Sequence, residues 1–187
     1  MQHTSRLNDN YKSNSLLNDQ IETHPFPAFI PKNIKYLIIG SFPGKCQAEL
    51  QLSEEHWFYG AKRNLFWKII EQVYETPLQG TTSKQNLFIK ANIGTTDIIL
   101  KAIRTENKNS DTNLTIVELN YEAIKAILSS NHIKTIFFTS KFVAKLFRKL
   151  FPGVNGTIIL PSPSPRYAKM NLQQKIDVYK KYLPVLS

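Results

Sequence analysis

An apolar strand that breaks at a glycine sets the frame of this chain. Tyr36-Leu37-Ile38-Ile39 runs without a polar interruption into Gly40-Ser41-Phe42-Pro43-Gly44. A strand with no polar alternation belongs in a sheet covered on both faces, which calls for parallel strands joined through helices. The glycine-flanked loop then lies at the carboxyl end of its strand, where open α/β sheets place their binding crevice. About twenty residues on, Trp57-Phe58-Tyr59-Gly60-Ala61-Lys62-Arg63-Asn64-Leu65-Phe66-Trp67 gathers aromatic and basic residues ahead of a helix. The second half of the chain has a matching junction, Thr157-Ile158-Ile159-Leu160 running into Pro161-Ser162-Pro163-Ser164-Pro165-Arg166. Two strand-to-loop junctions of this kind, roughly a domain apart, point to one site built from both.

The remaining periodicities fill in the frame. Leu65, Phe66, Ile69, Ile70, Val73 and Tyr74 recur on one helical face, which predicts a helix over 64–74. The stretch 87–100, with Gly94-Thr95-Thr96-Asp97, reads as a second strand or strand-like edge with a short turn, and 107–113 as a polar loop. A helix over 121–128, a buried strand over 133–139, a helix capped by Ser140 and a last helix starting near Asn171 complete the alternation. The expected fold class is therefore α/β, a three-layer α-β-α arrangement around a mainly parallel four-stranded sheet. Residues 1–25 are polar and weakly periodic, an arm or loosely attached cap. With the lead-in punctuated by Pro25, Pro27 and Pro31, the arm is expected to reach residue 32 and the domain to occupy 33–187.

Composition narrows the functional classes. A chain of 187 residues with 42% apolar content has the material for one domain with a real core. No apolar run is long enough to span a membrane, and Met1-Gln2-His3-Thr4-Ser5-Arg6 lacks the apolar stretch of a secretory signal. Cys46 is the one cysteine, and the four histidines lie far apart, so neither an internal disulfide nor a zinc or iron–sulfur thiolate set is expected. A cytoplasmic protein without metal or cofactor, acting as a monomer, is the expectation. The net charge of +10 is concentrated: residues 141–187 carry nine basic residues against Asp177 alone. Such a field attracts polyanions, nucleic acid first among them, although a solvated lysine-rich face would look the same in composition. A nucleotide-binding α/β protein would be expected to show a Gly-x-Gly-x-x-Gly or Walker loop, and the sequence has neither.

Three motifs together resemble the uracil-DNA glycosylase superfamily. Gly40-Ser41-Phe42-Pro43-Gly44 resembles its first motif, a glycine-x-x-proline-glycine loop after strand one. Tyr59 to Trp67 resembles the aromatic and Asn-x-Phe-Trp segment of the mismatch-specific and hypoxanthine-type branches. Leu160-Pro161-Ser162-Pro163-Ser164-Pro165 resembles the second motif, usually His/Asn-Pro-Ser followed by a wedge loop. The resemblance covers about residues 33–185. It departs from most branches at two places: Phe42 stands where Asn or Asp positions water, and Leu160 where His or Asn is usual. The hypoxanthine-type branch shares both losses. The resemblance there implies that Asn64, the asparagine of Asn-x-Phe-Trp, carries catalysis, and that the partner is DNA containing a damaged base.

The chemistry assigns roles to particular residues. A base within a duplex is reached only by flipping it out, so the pocket needs a flat surface, for which Tyr59 is the candidate; Phe42 closes the pocket or belongs to the core. Backbone N–H groups of Gly40, Ser41, Phe42, Pro43-flanking Gly44 and their loop can face the departing base as oxyanion holes do. Asn64 orients water through its amide oxygen, or caps the helix with the same atom. Asp97 is the second catalytic candidate, a carboxylate able to activate water or stabilise a sugar cation, unless it caps a turn. Pro161, Ser162, Ser164, Arg166 and Lys169 are the DNA-binding candidates, because three prolines stiffen the loop and Arg166 can reach a phosphate or the gap left by the flipped base. The alternative class is a nucleic-acid-binding protein on the same fold without turnover.

Overall fold

The computed structural model of the protein describes residues 21–44, 57–104 and 114–186. Within these lie the strands β1 (Ile21–Thr23), β2 (Tyr36–Gly40), β3 (Ile93–Asp97), β4 (Ile99–Arg104), β5 (Leu114–Leu119), β6 (Thr135–Phe138) and β7 (Thr157–Ile159). The helices are α1 (Phe66–Tyr74), α2 (Gly80–Lys90), α3 (Tyr121–Ser130), α4 (Lys141–Leu150) and α5 (Leu172–Tyr182). Four strands form a parallel sheet in the order β3-β2-β6-β7, and a second sheet of three antiparallel strands runs β1-β4-β5.

The parallel sheet is buried on both faces, as its apolar strands require. Alternate residues go to opposite cores. Ile38 and Phe137 face Phe66, Ile69 and Ile70 of α1, Phe88 of α2 and Tyr179 of α5. Leu37, Ile39, Ile136 and Phe138 face Ile124 and Ile127 of α3 and Val143 and Phe147 of α4. The result is the expected three-layer arrangement. Ser140 caps α4 as its position suggested, its hydroxyl oxygen accepting the Val143 N–H at 3.2 Å. Ser140→Ala is expected to cost about 1 kcal/mol, measurable as a lower urea midpoint at unchanged slope. The last helix starts with a reciprocal cap: Asn171 accepts from the Gln174 N–H, and the Gln174 side chain accepts from the Asn171 N–H, each at 2.9 Å.

One expectation needs correction. Residues 21–32 do not belong to an arm outside the domain. Ile21–Thr23 pair with Lys101–Ile103 of β4, and Phe29 exchanges two backbone hydrogen bonds of 2.9 Å with Thr95, covering the outer edge of β3. An uncovered edge strand leaves unpaired backbone groups, so this lead-in has structural work despite its polar, proline-rich sequence. Residues 1–20 lie outside the described residues, as do Cys46, His56 and the expected loop over 107–113. The strand expected within 87–100 is β3, and the same stretch also holds the end of α2 and the start of β4. Among the described residues no helix is long and apolar enough to cross a membrane.

Candidate active site

The parallel strands end on one edge, and there Gly40 of β2 stands directly opposite Asp97 of β3. A β-carbon on Gly40 would lie 2.2 Å from Asp97 Oδ1 and 2.6 Å from the Tyr59 hydroxyl oxygen, so glycine is required for these three residues to meet. Asp97 Oδ1, the Tyr59 hydroxyl and the Thr95 hydroxyl are buried without a hydrogen-bond partner. Buried polar atoms are nearly always paired, so three without a protein partner single this corner out as a candidate site. The second oxygen of Asp97 is paired: Oδ2 lies 2.9 Å from His24 Nε2, with both side chains almost wholly buried.

Tyr59 sits in a turn closed by the Gly60 N–H to the Trp57 carbonyl, and its backbone is left-handed at φ 60°. That conformation costs a bulky residue on the order of 1–3 kcal/mol and recurs at functional sites. Its ring stacks on Phe66 at 4.0 Å between centroids while the residue keeps part of its surface open. Burial and, after it, the charge of Asp97 push the phenol pKa far up, so the hydroxyl stays protonated. Thr139 and Thr95 stand beside it, neither in bonding geometry.

The loop from Gly40 to Gly44 is held from below. The Ile98 N–H donates to the Gly40 carbonyl at 2.9 Å and the Ile99 N–H to the Ser41 carbonyl at 3.1 Å. Arg104 donates through Nη2 to the Pro43 carbonyl at 2.9 Å and grips Glu22 with three further bonds, Nε to Oε1 at 2.9 Å and to Oε2 at 3.2 Å, and Nη2 to Oε2 at 2.8 Å. Phe42 lies between this guanidinium, 5.9 Å from its ring centre, and the imidazole of His24 at 5.8 Å. Phe42 is thus a wall packed on the core beneath the site.

Asn64 is engaged at the start of α1. Its Oδ1 accepts the Phe66 N–H at 2.9 Å, satisfying the first donor of α1 from one residue ahead of Leu65, which is the N-cap itself. A carbonyl oxygen has two lone pairs, however, and the bond to Phe66 fixes the amide plane while leaving one lone pair and the NH2 group for another partner. The neighbouring Leu65 N–H donates to the Pro163 carbonyl at 3.0 Å, which ties the proline loop to the start of α1. Two more carbonyls of that loop are held by α5: Pro161 by the Tyr179 hydroxyl at 3.0 Å and Ser164 by Lys175 Nζ at 3.3 Å. Lys175 is buried, its pKa lowered by desolvation, and its ammonium also lies over Tyr167. Ser162 and Ser164 turn their oxygens onto the Ser164 and Arg166 N–H groups, each at 3.3 Å, which preorganises the loop. Arg166 and Lys169 are exposed, as are Lys141, Lys145, Arg148 and Lys149 of α4. Leu160, by contrast, is core.

The structure therefore brings Gly40, Asp97 and Tyr59 to one point, and joins Asn64 to the proline loop through adjacent backbone. Tyr59 links the two groups, because it stacks on the residue that Asn64 caps. Sequence reading missed His24, Thr95, Arg104 and Lys175. The first of these carried one signal, a histidine set within His24-Pro25-Phe26-Pro27, where prolines restrict the backbone. Among the described residues no three His, Cys, Asp or Glu side chains gather as a metal site would require.

Comparison with known proteins gives this geometry a context. The profile of the Uracil DNA glycosylase superfamily matches residues 27–187. A hypoxanthine DNA glycosylase from Methanosarcina barkeri (strain Fusaro / DSM 804) is 31% identical over 118 residues, which span 62% of this chain and 70% of that protein. The fold is similar to a solution NMR structure of a candidate uracil DNA glycosylase from Methanosarcina acetivorans, with a TM-score of 0.62 at 22% identity, covering 86% of this chain and 98% of the other. With its three motifs on the carboxyl edge of a parallel sheet and a match reaching over nearly the whole chain, the protein belongs to the uracil-DNA glycosylase superfamily.

Proposed function

We propose that the protein is a monofunctional DNA glycosylase that hydrolyses the N-glycosidic bond of a deaminated base flipped out of DNA, hypoxanthine being the first candidate ahead of xanthine and uracil. The observation that carries this reading is the convergence of Gly40, Asp97 and Tyr59, two of them with orphaned buried oxygens, beside the Asn64 junction. The hypoxanthine DNA glycosylase from Methanosarcina barkeri supports the choice of base.

In this reading the flipped base lies against the open surface of Tyr59, which Phe66 backs from the core. As the C1′–N bond breaks, its electron pair leaves with the base and the sugar gains cation character. A backbone N–H of the Gly40–Gly44 loop meets the charge developing on the base. Asn64 holds the water through its free lone pair, and Asp97 takes the proton that water gives up on joining C1′. The exposed cations of α4, with Arg166 and Lys169, hold the phosphates, and the clamped proline loop fills the gap left by the base.

The test is a cleavage assay on oligonucleotides carrying hypoxanthine, xanthine or uracil, single-stranded and paired. Strand breaks that appear only after alkali are the expected product, and the base that gives them fastest is the substrate. Asn64→Ala is expected to lower the single-turnover rate about 10²–10³-fold while DNA affinity changes little. Breaks without alkali would show a lyase instead. Salt-sensitive DNA binding with no abasic product on any lesion would overturn the reading in favour of a binding protein on this fold.

A further inference from the structure

We infer that His24 is a positioning residue of the reaction: supplied by the segment ahead of the family-matched region, it fixes Asp97 so that one carboxylate oxygen alone faces the Gly40–Tyr59 corner. This rests on the proposed glycosylase reading, in which Asp97 acts on the flipped nucleotide. The match to the superfamily begins at residue 27, yet β1 and the residues after it carry His24 to the centre of the candidate site.

The geometry constrains the imidazole on every side. Nε2 is 2.9 Å from Asp97 Oδ2. Nδ1 lies 2.9 Å from the Phe26 carbonyl oxygen and 3.1 Å from the Phe26 nitrogen. The neutral ring, with its proton on Nε2, donates to Asp97 and accepts the Phe26 N–H; the protonated ring donates to both Asp97 and the Phe26 carbonyl. In either state the proton facing Asp97 is on Nε2. The rings of Phe26, Phe42 and Phe58 surround the imidazole with centroids 5.9, 5.8 and 5.5 Å away, so it has no room to turn. An imidazole locked by aromatic walls and a backbone group presents one N–H to a carboxylate, which is how a carboxylate's orientation is set rather than merely its charge balanced.

The orphaned oxygen is the second strand of the inference. Were the pair only a stabilising contact, both Asp97 oxygens would be expected to find partners, since a buried unpaired oxygen is costly. Instead Oδ2 is committed to His24, and Oδ1 is left unpartnered where Gly40 makes room for it. The other groups around the pair do not take that oxygen. Tyr59 and Thr95 are themselves orphaned, and the Glu22–Arg104 ion pair on the adjoining strands is satisfied within itself and by Pro43. Because β3 passes into β4 through Ile98 alone, Asp97 has little backbone freedom of its own, and the histidine removes the rotation that remains.

The experiment compares five proteins under single turnover on the lesion the wild type cuts: wild type, Asp97→Asn, His24→Phe, His24→Asn and the Asp97→Asn/His24→Phe double variant. His24→Phe keeps an aromatic body in the aromatic cage but removes the N–H. It is expected to slow the chemical step tenfold to a hundredfold with lesion-DNA affinity within twofold. His24→Asn restores a donor and is expected to recover part of the rate. In an Asp97→Asn background, His24→Phe should add less than twofold, since two residues acting through one step do not multiply. Turnover lost in Asp97→Asn but retained in His24→Phe overturns the inference and leaves the glycosylase reading standing. A faster His24→Phe enzyme overturns it as well, by showing that the imidazole only obstructs the site. No turnover by the wild type on any lesion overturns the glycosylase reading and the inference with it.

Discussion

Gly40→Ala is expected to abolish base excision, with a rate loss of at least about a hundredfold, while Gly153→Ala leaves it unchanged. The added methyl would lie 2.2 Å from Asp97 Oδ1 and 2.6 Å from the Tyr59 hydroxyl, well inside contact distance. Neither neighbour can swing clear. Asp97 is held by His24, and the Tyr59 ring is pressed against Phe66 at the end of a strained turn. Something must therefore shift, and a displacement of about 1 Å in catalytic geometry is enough to lose about two orders of magnitude in rate. Forcing a methyl into a packed site costs about 1–3 kcal/mol of stability, less than a domain's total stability, so the variant is expected to fold. Gly153 has open space around it and no left-handed backbone, which makes it the matched control. Rates on lesion DNA and urea unfolding of both variants read the two effects separately; a Gly40→Ala protein with near-wild-type rate would show that the corner is not where chemistry happens.

The second large effect is on stability. Phe66 is wholly buried, stacked on Tyr59 at 4.0 Å, edge-on to Trp67 at 5.0 Å and within 6.5 Å of Phe88 and Tyr179. Phe66→Ala is expected to cost about 3–5 kcal/mol, the transfer term plus the cavity it leaves. That is a large share of the roughly 5–15 kcal/mol that holds a domain together. Phe66→Leu keeps most of the volume and removes the flat face behind Tyr59. It should recover much of the stability, and if Tyr59 is the stacking platform, its loss in lesion affinity should exceed its loss in stability. Equilibrium unfolding and lesion-DNA titration of the pair decide the point.

The parallel sheet was readable because its strands obey a simple rule. Leu37 and Ile39 face one core and Ile38 the other, and a run with no polar residue can only lie where both faces are covered. Ser140 and Asn171 announced their helices by side chain. By contrast α2 was invisible in advance: Gly80-Thr81-Thr82-Ser83 are poor helix formers, and its buried face is carried by Leu87 and Phe88 near its end. The antiparallel sheet was missed for a related reason. In β5 burial alternates only in part, and Lys101, Arg104 and Glu118 interrupt the pattern because they are used in ion pairs. At the site, Gly40, Tyr59, Asn64 and Asp97 were all visible as candidates, but their grouping was not. His24 and Arg104 act on residues 73 and 61 positions away, and local pattern carries no information about such partners.

One pairing also bears on how the chain is made. Arg104 meets Glu22 across 82 positions, and Ile21 sits opposite Ile103. At synthesis rates of roughly 5–20 residues per second, the first described strand waits on the order of 4–16 s for its partner to be translated. During that interval Glu22 and His24 have no companion, and the loop at Gly40 has no brace. The corner where Asp97 meets Gly40 therefore forms only after β3 and β4 have been made, and a nascent chain presents the Gly40 loop before it has that corner.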